Sequence, residues 1–180
     1  MAGPVLSIEL LGPVPDQALA LLGGMLAGIS SRFRQERRGA FDLNVDAASL
    51  GVVDTDARAD RPILVRVNGP GFGDEDTFEA EHADGPDWCD LIGFIPTHEV
   101  AVLAMTNGRP EHLMLAELTA RIQELVGGLV NAELHREQIE TVQVLPGVVS
   151  VAPQPWGASA FGTAVFLRAW AAAPGFRLVK

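Results

Sequence analysis

The sequence predicts an α+β fold: a single domain over residues 1–180, with about three helices packed on a mixed or largely antiparallel sheet. Three observations predict it. The chain has 180 residues, 48% of them hydrophobic, enough for one core and too few for two large ones. Short β-branched runs recur between Gly and Pro turn signals. Only three segments carry a helical apolar stripe, and they do not alternate with strands as a parallel α/β sheet requires.

The elements follow in order. Val5–Leu11 is short and β-branched, a strand stopped by Gly12-Pro13. Pro15-Asp16 opens a helix, the acid lying near its positive end. Leu21, Leu22, Met25, Leu26, Ile29 and Phe33 stripe one face of it. Arg32, Arg34, Arg37 and Arg38 then suit the negative helix terminus, and Gly39 suits its cap. Phe41–Val45 alternates like a half-buried strand, and Pro62–Val67 is another. Leu91–Ile95 and Val100–Met105 read as buried strands joined by a hairpin loop at Pro96–Glu99. Asn107–Pro110 turns into a helix with Leu115, Leu118, Ile122 and Leu125 on one face, ended by Gly127-Gly128. Leu129–Leu134 and Val148–Val151 are strands, residues 162–172 a helix, and Phe176–Lys180 a last strand.

Charge is the most informative feature. No basic residue stands between Arg66 and Arg109, whereas that stretch holds 9 of the 23 acidic residues. The remainder, with 14 acidic against 13 basic residues, is close to neutral, so the net charge of −10 is local. Residues 73–90, aperiodic in pattern, read as a long acidic loop at about 70–90, with a short edge strand near Thr77–Glu81. Such a patch favours a basic protein partner and repels nucleic acid and anionic membranes. Asp74, Glu75, Asp76, Glu79, Glu81, Asp84 and Asp87 are the candidate contacts, with Phe78 and Trp88 as aromatic anchors. Self-association is a further option, the Arg32–Arg38 cluster of one copy meeting the acidic loop of another.

Other chemistry is weak. His82, Asp84 and Asp87 could converge on a cation, but Asp74-Glu75-Asp76 lacks the glycine a calcium loop needs at its sixth position. No two of the four histidines lie at i, i+4, so no metal or cofactor is assigned. Asn107, Glu111 and His112, where a strand meets a helix, outline a possible small-molecule pocket. Acidic neighbours disfavour Cys89 as a thiolate nucleophile. No nucleophile–base constellation is recognisable, which weighs against an enzyme. A single cysteine forms no internal disulfide, and no signal-peptide pattern or 20-residue apolar run is present, so a cytoplasmic protein is expected.

Several stretches together resemble small acidic actinobacterial proteins of unknown function. They are Leu91–Pro96, Met105–Leu118, Gly127–Val130, Phe166–Trp170 and Phe176–Lys180. More distantly, the size, charge and layout are similar to immunity proteins of bacterial toxin systems. The resemblance implies a non-enzymatic protein that neutralises a basic partner, and it assigns no catalytic residue.

Overall fold

The computed structural model describes residues 3–53, 60–73, 75–83, 87–155 and 157–180, and only the backbone of Thr77, Glu81 and Ala83. Eight strands form one sheet: β1 (Val5–Leu10), β2 (Ser30–Arg37), β3 (Ala40–Val45), β4 (Arg61–Asn68), β5 (His98–Ala104), β6 (Leu129–Leu134), β7 (Val148–Gln154) and β8 (Gly157–Gly162). Their order is β2-β3-β4-β5-β1-β6-β8-β7, and every pairing is antiparallel. The helices are α1 (Asp16–Ile29), α2 (Glu75–Ala83), α3 (Trp88–Ile92), α4 (Arg109–Val126), α5 (Ile139–Val142) and α6 (Ala164–Ala171). The class is the expected α+β, with six helices among the described residues where about three were expected. No helix is long and apolar enough to cross a membrane.

Period-2 alternation gives the sheet two unlike faces. One face carries Leu6, Ile8 and Leu10 of β1, Val65 and Val67 of β4, Val100 and Val102 of β5, and Val130 and Ala132 of β6, all buried. Helices α1, α4 and α6 cover it with Leu22, Leu26, Met114, Leu115, Leu118, Ile122, Phe166 and Trp170. The expected stripes contribute Leu22 and Leu26 of α1 and Leu115, Leu118 and Ile122 of α4, whereas Leu21 is exposed and Phe33 lies in β2. A buried ion pair, Arg61 Nε to Glu111 Oε1 at 3.0 Å, ties β4 to the first turn of α4, and Thr106 Oγ1 donates to the same oxygen at 2.9 Å.

Several expectations need correction. The first helix ends at Ile29, and the arginines belong to strand β2 and the turn after it. Arg38 reaches back 2.5 Å to Asp16, the N-terminal acid of α1. The cluster therefore does not neutralise a helix C-terminus. Leu91–Ile95 is not a strand: it is the end of α3 followed by a glycine exit, since Gly93 (φ 83°) caps the helix. Short apolar runs do not distinguish strand from helix by pattern. With no strand there, Pro96–Glu99 is no hairpin loop, and β5 begins at His98. Residues 176–180 run beside α4 without joining the sheet, and β8 was not foreseen.

The largest change concerns the acidic stretch. It is not a long loop but two helices, α2 and α3, separated by a few residues. They lie on the second face of the sheet: α2 reaches β1 through His82 and Glu9, and α3 packs on β6, β7 and β8. A smaller apolar cluster of Ile92, Ala152 and Phe161, with Trp88, Leu91, Phe94 and Leu129 against it, holds this cover in place.

Candidate functional site

On the second face, β1 presents Val5, Ser7 and Glu9, and β5 presents Leu103, Ala101 and Glu99. The register sets Glu9 directly opposite Glu99. Alternation alone would turn both acids toward water. The cover buries them instead, leaving Glu9 1% and Glu99 4% exposed. Like charges directly opposed across strands are destabilising, and a buried carboxylate is costly unless paired.

The neighbouring strands supply amides. Asn68, opposite Glu99 in β4, donates from Nδ2 to Glu99 Oε1 at 2.7 Å. Asn131 of β6 donates to Glu9 Oε1 at 2.9 Å. Gly128 brings β6 in: it holds φ 75°, and a Cβ there would sit 2.3 Å from the Glu9 carbonyl oxygen, which only glycine permits.

Helix α2 supplies the third ionisable group. His82 Nε2 lies 3.1 Å from Glu9 Oε2, and Nδ1 lies 2.9 Å from the carbonyl oxygen of Phe78, one turn back. That carbonyl only accepts, so Nδ1 carries hydrogen and Nε2 faces the carboxylate. The imidazole is sandwiched between Phe78 (ring centroids 4.0 Å apart) and Trp88 (5.4 Å), and Trp88 meets Phe161 edge-on. The Trp88 Nε1–H is buried with no acceptor among the described residues. Burial pulls the His82 pKa down, but the hydrogen bond and charge of Glu9, with Glu99 behind it, more than offset this and raise it above its ordinary value. Glu9, His82 and Glu99 each bring a ligand atom to within 4.8 Å of the others, the one such set among the described residues.

The expected contact residues divide into two groups. Glu75, Asp76, Glu79 and Asp87 are exposed, as is Asp90. Glu75 Oε1 accepts from the Gly71 amide at 2.8 Å, and Asp87 caps α3. Phe78 is buried and Trp88 half-buried, so both rings face the sheet and are not exposed anchors. Asp74 and Asp84 lie outside the described residues, as does the Glu81 side chain. Cys89 is exposed.

Asn107, Glu111 and His112 have structural partners. Glu111 holds Arg61. His112 Nε2 lies 2.9 Å from Asn107 Oδ1, and its Nδ1 accepts from the Leu178 amide at 2.8 Å, docking the C-terminal segment. Burial, helped by the charge of Arg177 and opposed by Glu111, lowers the His112 pKa. None of the three lines a cleft of about 500 Å³ between Leu50–Val53, Arg109, Leu113, Glu117 and Arg168. Glu117 and Glu124 both bind Arg168 there. A second cleft, about 250 Å³, is bounded by Ser7, Asn131, Glu133 and Lys180 on the open part of the second face, beside Glu9.

Sequence reasoning missed the pair because a single outward acid such as Glu9 is ordinary in a strand, while Glu99, 90 residues away, reads as the end of a hairpin loop. One signal was legible: Glu9 and Glu99 alternate out of phase with the apolar residues of their own strands, which puts both on the same face.

The architecture defines an α+β protein built on one open antiparallel sheet, with an apolar helical layer on one side and a partial acidic cover on the other. The chain belongs to a family of unknown function, DUF6368, whose match spans residues 2–180. No curated protein and no solved structure matches it.

Proposed function

We propose that the protein is an acidic, immunity-type binding protein that takes a basic protein partner on the outer surface of α2 and α3. The observation that carries this reading is the division of the acidic segment. Phe78, His82 and Trp88 hold the two helices to the sheet, while Asp76, Glu79 and Asp90 are exposed, in a stretch with no lysine or arginine from residue 67 to 108. A fixed single-sign surface steers an oppositely charged partner and makes association fast and salt-sensitive. Nucleases and other proteins that act on nucleic acid present such basic surfaces. The aromatics stiffen the surface and are not themselves the anchors.

The test is capture of partners at low salt by wild-type protein and by the triple reversal Asp76→Lys, Glu79→Lys, Asp90→Lys. The expected result is a basic protein released by moderate salt and lost from the variant. Capture that survives the reversal refutes the proposal. Light scattering at low and high salt separates a homotypic form, in which the arginines of β2 meet the acidic helices of a second copy. A small-molecule site beside His112 is the alternative. The cleft at Arg109 and Leu113, which flank His112 at i−3 and i+1, supports it, and ligand-induced thermal shifts lost in Arg109→Ala would favour it.

A further inference from the structure

We infer that Glu9, His82 and Glu99 form a binding site for a divalent first-row transition ion, held through one imidazole nitrogen and two carboxylate oxygens. Four observations converge on it.

The first is donor geometry. Ligands bound at about 2.0–2.2 Å to one ion sit roughly 3.0–3.5 Å apart. His82 Nε2 and Glu9 Oε2 are 3.1 Å apart, and no pair in the trio exceeds 4.8 Å.

The second is tautomer. Ligating histidines characteristically donate their other ring N–H to a backbone carbonyl or carboxylate, which fixes the ring and leaves the second nitrogen as the ligand. His82 does this with the Phe78 carbonyl, and Nε2 points at the carboxylates.

The third is the outer shell. Each carboxylate has one oxygen held by an asparagine, Asn131 for Glu9 and Asn68 for Glu99. Those amides orient the acids without neutralising them. Glu9 meets no arginine or lysine among the described residues. A dication bound between them would offset the like charge of two carboxylates set directly opposite each other.

The fourth is access. Asn131, which holds Glu9, also lines the cleft of about 250 Å³ on the open face with Ser7 and Glu133. The cleft adjoins the trio through Asn131, and Phe78 and Trp88 stack against the His82 ring. Three protein ligands leave coordination positions open, as in catalytic rather than structural sites. The nitrogen–oxygen set suits Zn²⁺, Co²⁺, Mn²⁺ or Fe²⁺, not a thiophilic ion.

The experiment uses the full chain, stripped with chelator and titrated with Co²⁺ and then Zn²⁺, read by calorimetry and by the visible Co²⁺ spectrum. The expected result is one equivalent of Co²⁺ with a ligand-field band, displaced by Zn²⁺. Glu9→Gln and Glu99→Gln, both near-isosteric, each weaken uptake more than about tenfold, and Asn131→Ala weakens it about 10- to 100-fold. Circular dichroism of the metal-free variants confirms folding, and two independent ligand variants guard against one that fails to fold. Asp76→Asn with Glu79→Gln leaves uptake unchanged. No stoichiometric uptake by the wild type overturns the site. So does uptake that persists in both glutamine variants and falls with the surface pair, which is adventitious binding to exposed acids.

Discussion

The sheet buries carboxylates at two places and treats them oppositely. On the core side, Glu111 meets Arg61 and Thr106 between α4 and β4, and its charge is matched where it lies. On the cover side, Glu9 faces Glu99 across a strand pair and, among the described residues, bonds to a histidine and an asparagine. The first arrangement is a fastener. The second concentrates negative charge that folding alone does not require, as expected where a site is kept for a ligand at some cost in stability. The difference teaches which buried polar group to read as architecture and which as chemistry: the test is whether its charge is already balanced.

The comparison is broken most severely from the core side. Glu111→Ala should cost about 3–5 kcal/mol in urea or thermal unfolding, because it removes one partner of a buried ion pair. That is a drop in melting temperature on the order of 10 °C. A loss under about 1 kcal/mol would mean that the pair is no fastener. Phe78→Ala comes next, at about 3 kcal/mol or less, because a buried aromatic is lost from a thin layer. Its signature is local: amide exchange should quicken across α2 and leave α4 protected, and uniform quickening would show that cover and core unfold as one unit. Glu99→Gln should run the other way. In metal-free protein it keeps the bond from Asn68 and removes the like charge facing Glu9, for a gain of up to about 1 kcal/mol. A destabilisation as large as that of Glu111→Ala would erase the contrast.

The smallest effect is a pH dependence. The folded pKa of His112 is lowered, so the unfolded chain takes up that proton first. Stability is therefore full above about 6.5 and is lost as pH falls from there toward the folded pKa. Protonation at Nδ1 also removes the acceptor for the Leu178 amide. His112→Gln should flatten this part of the melting-temperature profile, and an NMR midpoint for His112 above 6.5 would contradict it.

Where one face of an element is apolar, the sequence was readable. Leu22 and Leu26 in α1, and Leu115, Leu118 and Ile122 in α4, sit at helical spacing and are buried as that spacing demands. Phe41–Val45 and Pro62–Val67 alternate and are strands. Helix α2 was not readable, because its inward face amounts to Phe78 and His82, one turn apart. Two residues make no periodicity, and the surrounding acids resemble a solvated loop. The metal-ligand set was harder still. His82 was weighed with Asp84 and Asp87, its neighbours in sequence, whereas its partners come from β1 and β5. Strand order decides that, and strand order is not written in local pattern.

The margins of the sheet carry a consequence for assembly. Strand β2 lies at one end with Arg32, Arg34 and Arg37 along it and two breaks in register; β7 lies at the other, with a further break near Val149 and with Pro153, which has no amide hydrogen to offer. Charge, bulges and proline each discourage a ninth strand from adding. Growth of the sheet by backbone pairing is thus disfavoured at both margins. Recognition through side chains, on helices or on the open face, is favoured over pairing at a free β-edge, so that chemistry rather than generic adhesiveness sets specificity.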